Sequence, residues 1–106
     1  MNPIQQSNIT VANFIIGELA KDKPFTLVLD AGQTGELHNI AIKSHHLHSG
    51  FVGELVKVTK ARVHNGTGIQ LKIDESNADP MYHILSSYLV NGGFPDSVIQ
   101  SLGEVS

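Results

Sequence analysis

The sequence predicts an α+β fold: a small antiparallel curved sheet or β-barrel, with an N-terminal helix and two C-terminal helices. Three observations carry this. Ile69, Leu71 and Ile73 alternate with Gln70 and Lys72, the period-two pattern of a half-buried strand. Ala12, Ile15, Ile16 and Leu19 recur at helical spacing, and so do Met81, Ile84, Leu85, Tyr88 and Leu89. Between these two stripes lie β-prone runs separated by glycine-bearing turns.

Taken in order, residues 1–8 read as a polar lead, and residues 9–20 as a short amphipathic helix with Ser7, Asn8 or Thr10 as its cap. Phe14 widens its stripe, Gly17 weakens it, and Lys21-Asp22-Lys23-Pro24 ends it. Phe25–Leu29 is a strand. Asp30–Gly35 holds two glycines and reads as a turn, because its spacing matches neither G-x-G-x-x-G nor the G-x-x-x-x-G-K-[ST] loop. Residues 36–43 return as a second strand, and residues 51–63 form a long β-prone run with Gly53 as a bend or bulge.

Pairing residues 51–63 with 69–73 through the turn at His64–Gly68 sets a register. A two-residue Asn65-Gly66 loop would bring Arg62 and Lys60 beside Ile69 and Leu71 on the core face. A three-residue loop brings Val63 and Ala61 there instead, and burying Val is favourable where burying unpaired charge is costly. The odd-length loop is therefore expected. Asp79-Pro80 then starts a helix as cap and first position, Asn91-Gly92-Gly93 stops it, and a last short helix runs from Phe94 through Val98, Ile99 and Leu102. The expected core is Ile15, Leu19, Leu27, Leu29, Ile40, Ile42, Leu55, Val63, Ile69, Leu71, Ile73, Leu85, Tyr88 and Leu89.

Composition narrows the function classes. The 106 residues fit a single domain, 1–106, with no internal repeat or domain boundary, and Asp74–Ala78 reads as a polar linker between elements. Hydrophobic residues at 41% against 16% charged favour a folded globule over a disordered chain. The net charge of −3 and the single arginine, Arg62, leave no basic stripe for nucleic acid. Without cysteine there is no disulfide framework, thiol catalysis or Cys-based zinc site. No basic start, signal-like apolar run or membrane-length stretch is present, so a cytoplasmic protein without membrane contact is expected.

The histidines form the one cluster with chemical promise. If residues 36–48 are extended, His38, Ile40, Ile42, Ser44, His46 and His48 share a face. His46 and His48, two residues apart, then point the same way and can share a metal with His38. Neutral imidazole suits Zn, Cu, Ni or Fe, and a catalytic zinc needs three protein ligands and an open position. No H-x-x-x-H, H-E-x-x-H or paired carboxylate accompanies them. Ser49 beside His48 lacks the G-x-S-x-G elbow of a serine hydrolase.

Gly66-Thr67-Gly68-Ile69-Gln70-Leu71, followed by Tyr82–Leu89 with its Ser87-Tyr88-Leu89 end, resembles the close of a PilZ-like domain over residues 54–90. That family closes a small six-stranded barrel with a G-x-G-[IV]-Q-[FL] strand and then a helix ending in Tyr-Leu, and residues 54–63 would supply the strand before. The resemblance would imply cyclic-di-GMP binding if the ligand motifs were present. No R-x-x-x-R precedes the barrel, since no arginine precedes Arg62. The nearest match to [DN]-x-S-x-x-G, Leu47–Val52, lacks the acid or amide and misplaces the glycine. No binding residue is carried over, and such a degenerate member implies protein contacts rather than nucleotide sensing. An Sm-like small barrel with a leading helix is an equal fold expectation, its RNA use disfavoured by the charge balance.

The sequence thus points to a non-enzymatic binding or regulatory module that acts through a protein partner or its own oligomer, with no cofactor. The alternative is a metal-binding protein or metal-dependent enzyme using His38, His46 and His48 with a transition metal. A small-ligand site in a barrel mouth is a third reading.

Overall fold

Six elements follow one another along the chain: α1 (Pro3–Glu18), β1 (Phe25–Leu29), α2 (Ala31–Ile42), α3 (Ser49–Asn65), β2 (Ile69–Ile73) and α4 (Glu75–Val90). The structure is a computed structural model and describes residues 3–90. The class is α+β, as expected, but the sheet is open. β1 and β2 pair antiparallel, Leu27 opposite Leu71 and Leu29 opposite Ile69, and no other strand occurs among the described residues. Of the two expected forms, a curved sheet or a β-barrel, the described residues form an open sheet and no closed barrel. The expected helix through Val98, Ile99 and Leu102 lies outside the described residues.

Two segments expected as strands are helices. Residues 36–43 belong to α2 and residues 51–63 to α3. The physical reason is a helical period that outweighs β-branched composition. Thr34, Leu37, Ile40 and Ala41 are all buried on one face of α2, and Val52, Leu55 and Thr59 on one face of α3. The residues that strict alternation placed in the core are turned out: Ile42 is 45% exposed and Val63 42%. The other expected core positions are buried or packed against the core.

Asp30–Gly35 is a helix start instead of a hairpin turn. Asp30 Oδ1 accepts from the Gln33 N–H at 2.8 Å, and the Asp30 N–H donates to Gln33 Oε1 at 2.9 Å, a reciprocal capping box. Asn65-Gly66 likewise ends a helix. Gly66 takes φ 67°, its N–H bonds the Val63 carbonyl at 3.1 Å, and the Thr67 N–H bonds the Arg62 carbonyl at 3.0 Å. This Schellman pattern closes α3 where a hairpin had been expected, so Ile69 pairs with Leu29 and not with Val63. At α4 the cap is Asp74, five residues earlier than expected: its Oδ1 accepts from Ser76 N–H at 2.9 Å and Asn77 N–H at 3.1 Å, and Pro80 falls inside the helix. At the other end of the chain α1 already runs from Pro3, through the segment read as a polar lead.

The core lies between the inner face of the sheet and the helices. Leu27, Leu29, Ile69 and Ile73 point inward, with Phe25 and Leu71 half-buried on the same face; Thr26, Val28, Gln70 and Lys72 face out. α1 packs on α4 and α2, and α2 packs on α3. From α1 and α4, Val11, Ala12, Ile15, Met81, Ile84, Leu85 and Tyr88 fill the centre. Each Val, Ile, Leu or Met among them contributes roughly 1.5–3 kcal/mol when fully buried.

Gly68 sits where β2 begins beside the end of β1. A Cβ there would stand 2.2 Å from the Leu29 carbonyl oxygen and 3.0 Å from Asp30 Cα, both backbone atoms that cannot rotate away. Gly68→Ala must therefore push the strands apart. It is expected to lower unfolding free energy by about 1–3 kcal/mol or more. Gly53→Ala, in open space on α3, should instead be neutral or stabilising by up to ~1 kcal/mol. Urea unfolding of the two variants checks this; equal stabilities would contradict the close approach.

Candidate functional site

Three places bring chemically useful side chains together. The first is a polar cleft of about 450 Å³ between α1, the start of α2 and the end of α3, lined by Ser7, Asn8, Gly32, Glu36, His38, Asn39 and Val63 among others. Asn8 is fully buried on the apolar stripe of α1. Its Nδ2 donates to the Tyr88 hydroxyl on α4 at 3.1 Å, while its Oδ1 has no hydrogen-bond partner among the described residues. Leaving such an acceptor unmatched costs roughly 1–3 kcal/mol. Burial pushes the half-buried Glu36 carboxyl above its usual range, and the Asp30 charge adds to this.

His38 also lines the cleft, with Nδ1 2.9 Å from the Thr59 hydroxyl oxygen on α3. The Thr59 hydroxyl proton is already given to the Leu55 carbonyl at 2.7 Å. Thr59 must then accept, so His38 carries its proton on Nδ1 and, when neutral, keeps a bare Nε2. Burial, with a smaller push from Lys60, holds the His38 imidazole below its ordinary value of 6.5.

The second place is an apolar groove of about 150 Å³ between α3, β2 and the start of α4. Phe51, Leu55, Val58, Leu71, Ile73 and Met81 form its walls, and Glu54, Lys72 and Asn77 are its polar members.

The third is a histidine pair. His48 Nε2 lies 2.7 Å from His83 Nδ1, with ring centroids 4.8 Å apart and planes at 80°. His48 precedes α3 with φ 45°, a left-handed conformation unusual outside glycine, and its side chain makes no capping bond to α3. Both rings are exposed.

The three histidines grouped by strand alternation are thus placed differently. His38 is on α2 and turned to Thr59, whereas His46 and His48 lie in the connection between α2 and α3. With no strand over 36–48, the shared face that joined them does not exist. Among the described residues no three His, Asp or Glu side chains gather in a way that could hold a metal ion. Sequence reasoning missed His83, whose partner lies 35 residues away and leaves no local trace. It also missed Asn8, although a polar residue in register with Ala12, Ile15 and Leu19 is a readable signal of a buried amide.

No described helix is long and apolar enough to cross a membrane. No protein-family model, curated protein or solved structure matches the chain. None of these comparisons identifies a PilZ-like domain, and residues 54–63, which that resemblance over 54–90 would need as a strand, are helical.

The His38 environment sets a pH dependence. The unfolded imidazole titrates near 6.5 and the folded one lower, so between the two values the unfolded chain binds more protons. Stability from this group is complete above about 6.5 and is lost as pH falls through the folded pKa. His38→Asn should flatten the fall in stability as pH drops below about 6.5. Lys60→Gln should raise the His38 pKa, read from its ring-proton NMR titration, only part of the way to 6.5, because burial remains. A wild-type His38 titrating at or above 6.5 would contradict this environment.

Proposed function

We propose that the chain is a non-enzymatic binding module that seats an apolar segment of a protein partner in the groove between α3, β2 and α4. The observation that carries this reading is the composition of the groove. Phe51, Leu55, Val58, Leu71, Ile73 and Met81 leave an apolar surface with room for a side chain to enter, at about 150 Å³. Filling such a hollow removes apolar area from water at roughly 25 cal/mol per Å². Glu54 and Lys72 at the groove supply one charge of each sign, enough to orient a segment without demanding a charged one.

The wider surface agrees with a binding role. Val28, at 59% exposure, stands on the outer face of the sheet, and Tyr82 is exposed on α4. Among the described residues the sheet has two strands, and each keeps an edge that no other described strand pairs. A second copy of the chain is the self-associating version of the same reading.

Val58 is the residue to change, because it is 42% exposed and lines the groove without being part of the buried core. Peptides selected against the protein from a random library should shift the amide resonances of Val58, Leu71 and Met81. Val58→Glu should weaken them by about tenfold or more, on the order of 1.4 kcal/mol, with thermal stability changed little. Any dimer seen by native mass spectrometry should be lost in the same variant. Peptides that perturb other surfaces, or bind Val58→Glu as well as wild type, would set the reading aside.

A further inference from the structure

We propose that His48 and His83 form a two-imidazole binding site for a divalent transition metal. This goes beyond the groove and does not depend on it. Nε2 of His48 and Nδ1 of His83 are 2.7 Å apart, so the two nitrogens face each other across one small space. In the metal-free arrangement one nitrogen must donate and the other accept, and a single proton bridges them. When the donor ring takes its other tautomer, its proton passing through solvent to the far ring nitrogen, both facing nitrogens are bare and a cation uses both lone pairs at once.

Two nitrogens bound to a tetrahedral zinc at 2.0–2.1 Å stand about 3.3 Å apart, so the pair must open by roughly 0.6 Å and each ring must turn by roughly 35° to aim at the ion. Both rings are exposed and have room to make this turn. The rings meet at 80° rather than stacked, which keeps the two nitrogens directed at the shared space instead of at opposite faces.

A second observation concerns the backbone. His48 adopts φ 45° although no glycine is there to make that conformation cheap, and its ring does not cap α3. It reaches instead to a residue 35 positions later on α4. Strained residues of this kind collect where a side chain has to be aimed. Here the aim is at the second imidazole.

Neutral nitrogen donors select the metal class. Zn²⁺, Ni²⁺ and Cu²⁺ prefer imidazole, while Mg²⁺ and Ca²⁺ prefer oxygen. Two protein ligands leave coordination positions for water or for donors of another molecule. The ligand set also differs from the His38, His46 and His48 grouping, since it requires His83 and excludes His38.

The test is zinc titration of the untagged full chain by calorimetry, with competition against a chromophoric chelator. Wild type should take up to one Zn²⁺ per chain, with its largest ring-proton shifts at His48 and His83, and should take neither Mg²⁺ nor Ca²⁺. His83→Ala and His48→Gly should each weaken zinc by about tenfold or more. Glycine suits the left-handed position and alanine suits an exposed helix face, so both variants should fold, as circular dichroism will verify. His38→Asn should bind as wild type does. Absence of zinc uptake by wild type, retention in either pair variant, or equal loss in His38→Asn would overturn the site.

Discussion

The structure depends on the junction where Leu29, Asp30 and Gly68 meet. A two-stranded sheet is marginal in water by itself, so β1 and β2 hold only if their inner face is covered and their register is secured. Here Leu29 pairs with Ile69, and Gly68 lies against the Leu29 carbonyl with no room for a side chain. Asp30 follows at once and turns the chain into α2 through its box with Gln33. Two residues before Gly68, Gly66 closes α3. One short stretch of contact thus sets the strand register, the start of α2 and the end of α3. A slip of β2 by one residue would carry Ile69 and Ile73 to solvent and draw Gln70 and Lys72 inward.

Around this junction the helices are tied by a few buried polar groups. Asn8 joins α1 to α4 through the Tyr88 hydroxyl, and His38 joins α2 to α3 through Thr59. The buried hydroxyls of Ser44 and Thr59 give their protons to carbonyls one turn back, at 2.7 Å each. Thr34 does the same to Asp30 at 2.8 Å. Because these groups satisfy themselves within one helix, α2 and α3 can bury them at little cost. Thr59 then has a lone pair left for His38, which is why that imidazole has a defined tautomer.

Much of this was legible in the chain. The stripe of Ile15 and Leu19, the stripe of Met81, Ile84, Leu85 and Tyr88, and the strands around Leu27 and Ile69 were read correctly, since a repeated period reports directly which face is buried. The middle of the chain was not. In residues 36–43 and 51–63, Ile40, Ile42, Val56, Val58 and Val63 favour strands locally, and Gly32, Gly35, Gly50 and Gly53 suggest turns. The helical period in Leu37, Ile40, Ala41 and Ser44, and again in Val52, Leu55 and Thr59, was the stronger signal. Tertiary burial outweighed β propensity there. The D-x-x-Q box at Asp30 and the Asn-Gly helix end at Gly66 are ambiguous locally, because the same residues serve turns and caps. His48 with His83 could not be read at all, since their contact follows from how α3 and α4 are placed.

That placement also relates the groove to the histidine pair. α3 packs chiefly on α2 and α4 chiefly on α1, so no broad contact fixes α3 against α4. The groove occupies the gap, with Phe51, Leu55 and Val58 on one side and Met81 on the other. His48 and His83 bridge the same gap within three residues of Phe51 and two of Met81. Were a cation held between the imidazoles and a segment seated in the groove, any effect of one on the affinity of the other would be reciprocal, by the same factor. The small direct contact between α3 and α4 leaves their spacing to be set by α2 and α1, on which each chiefly packs.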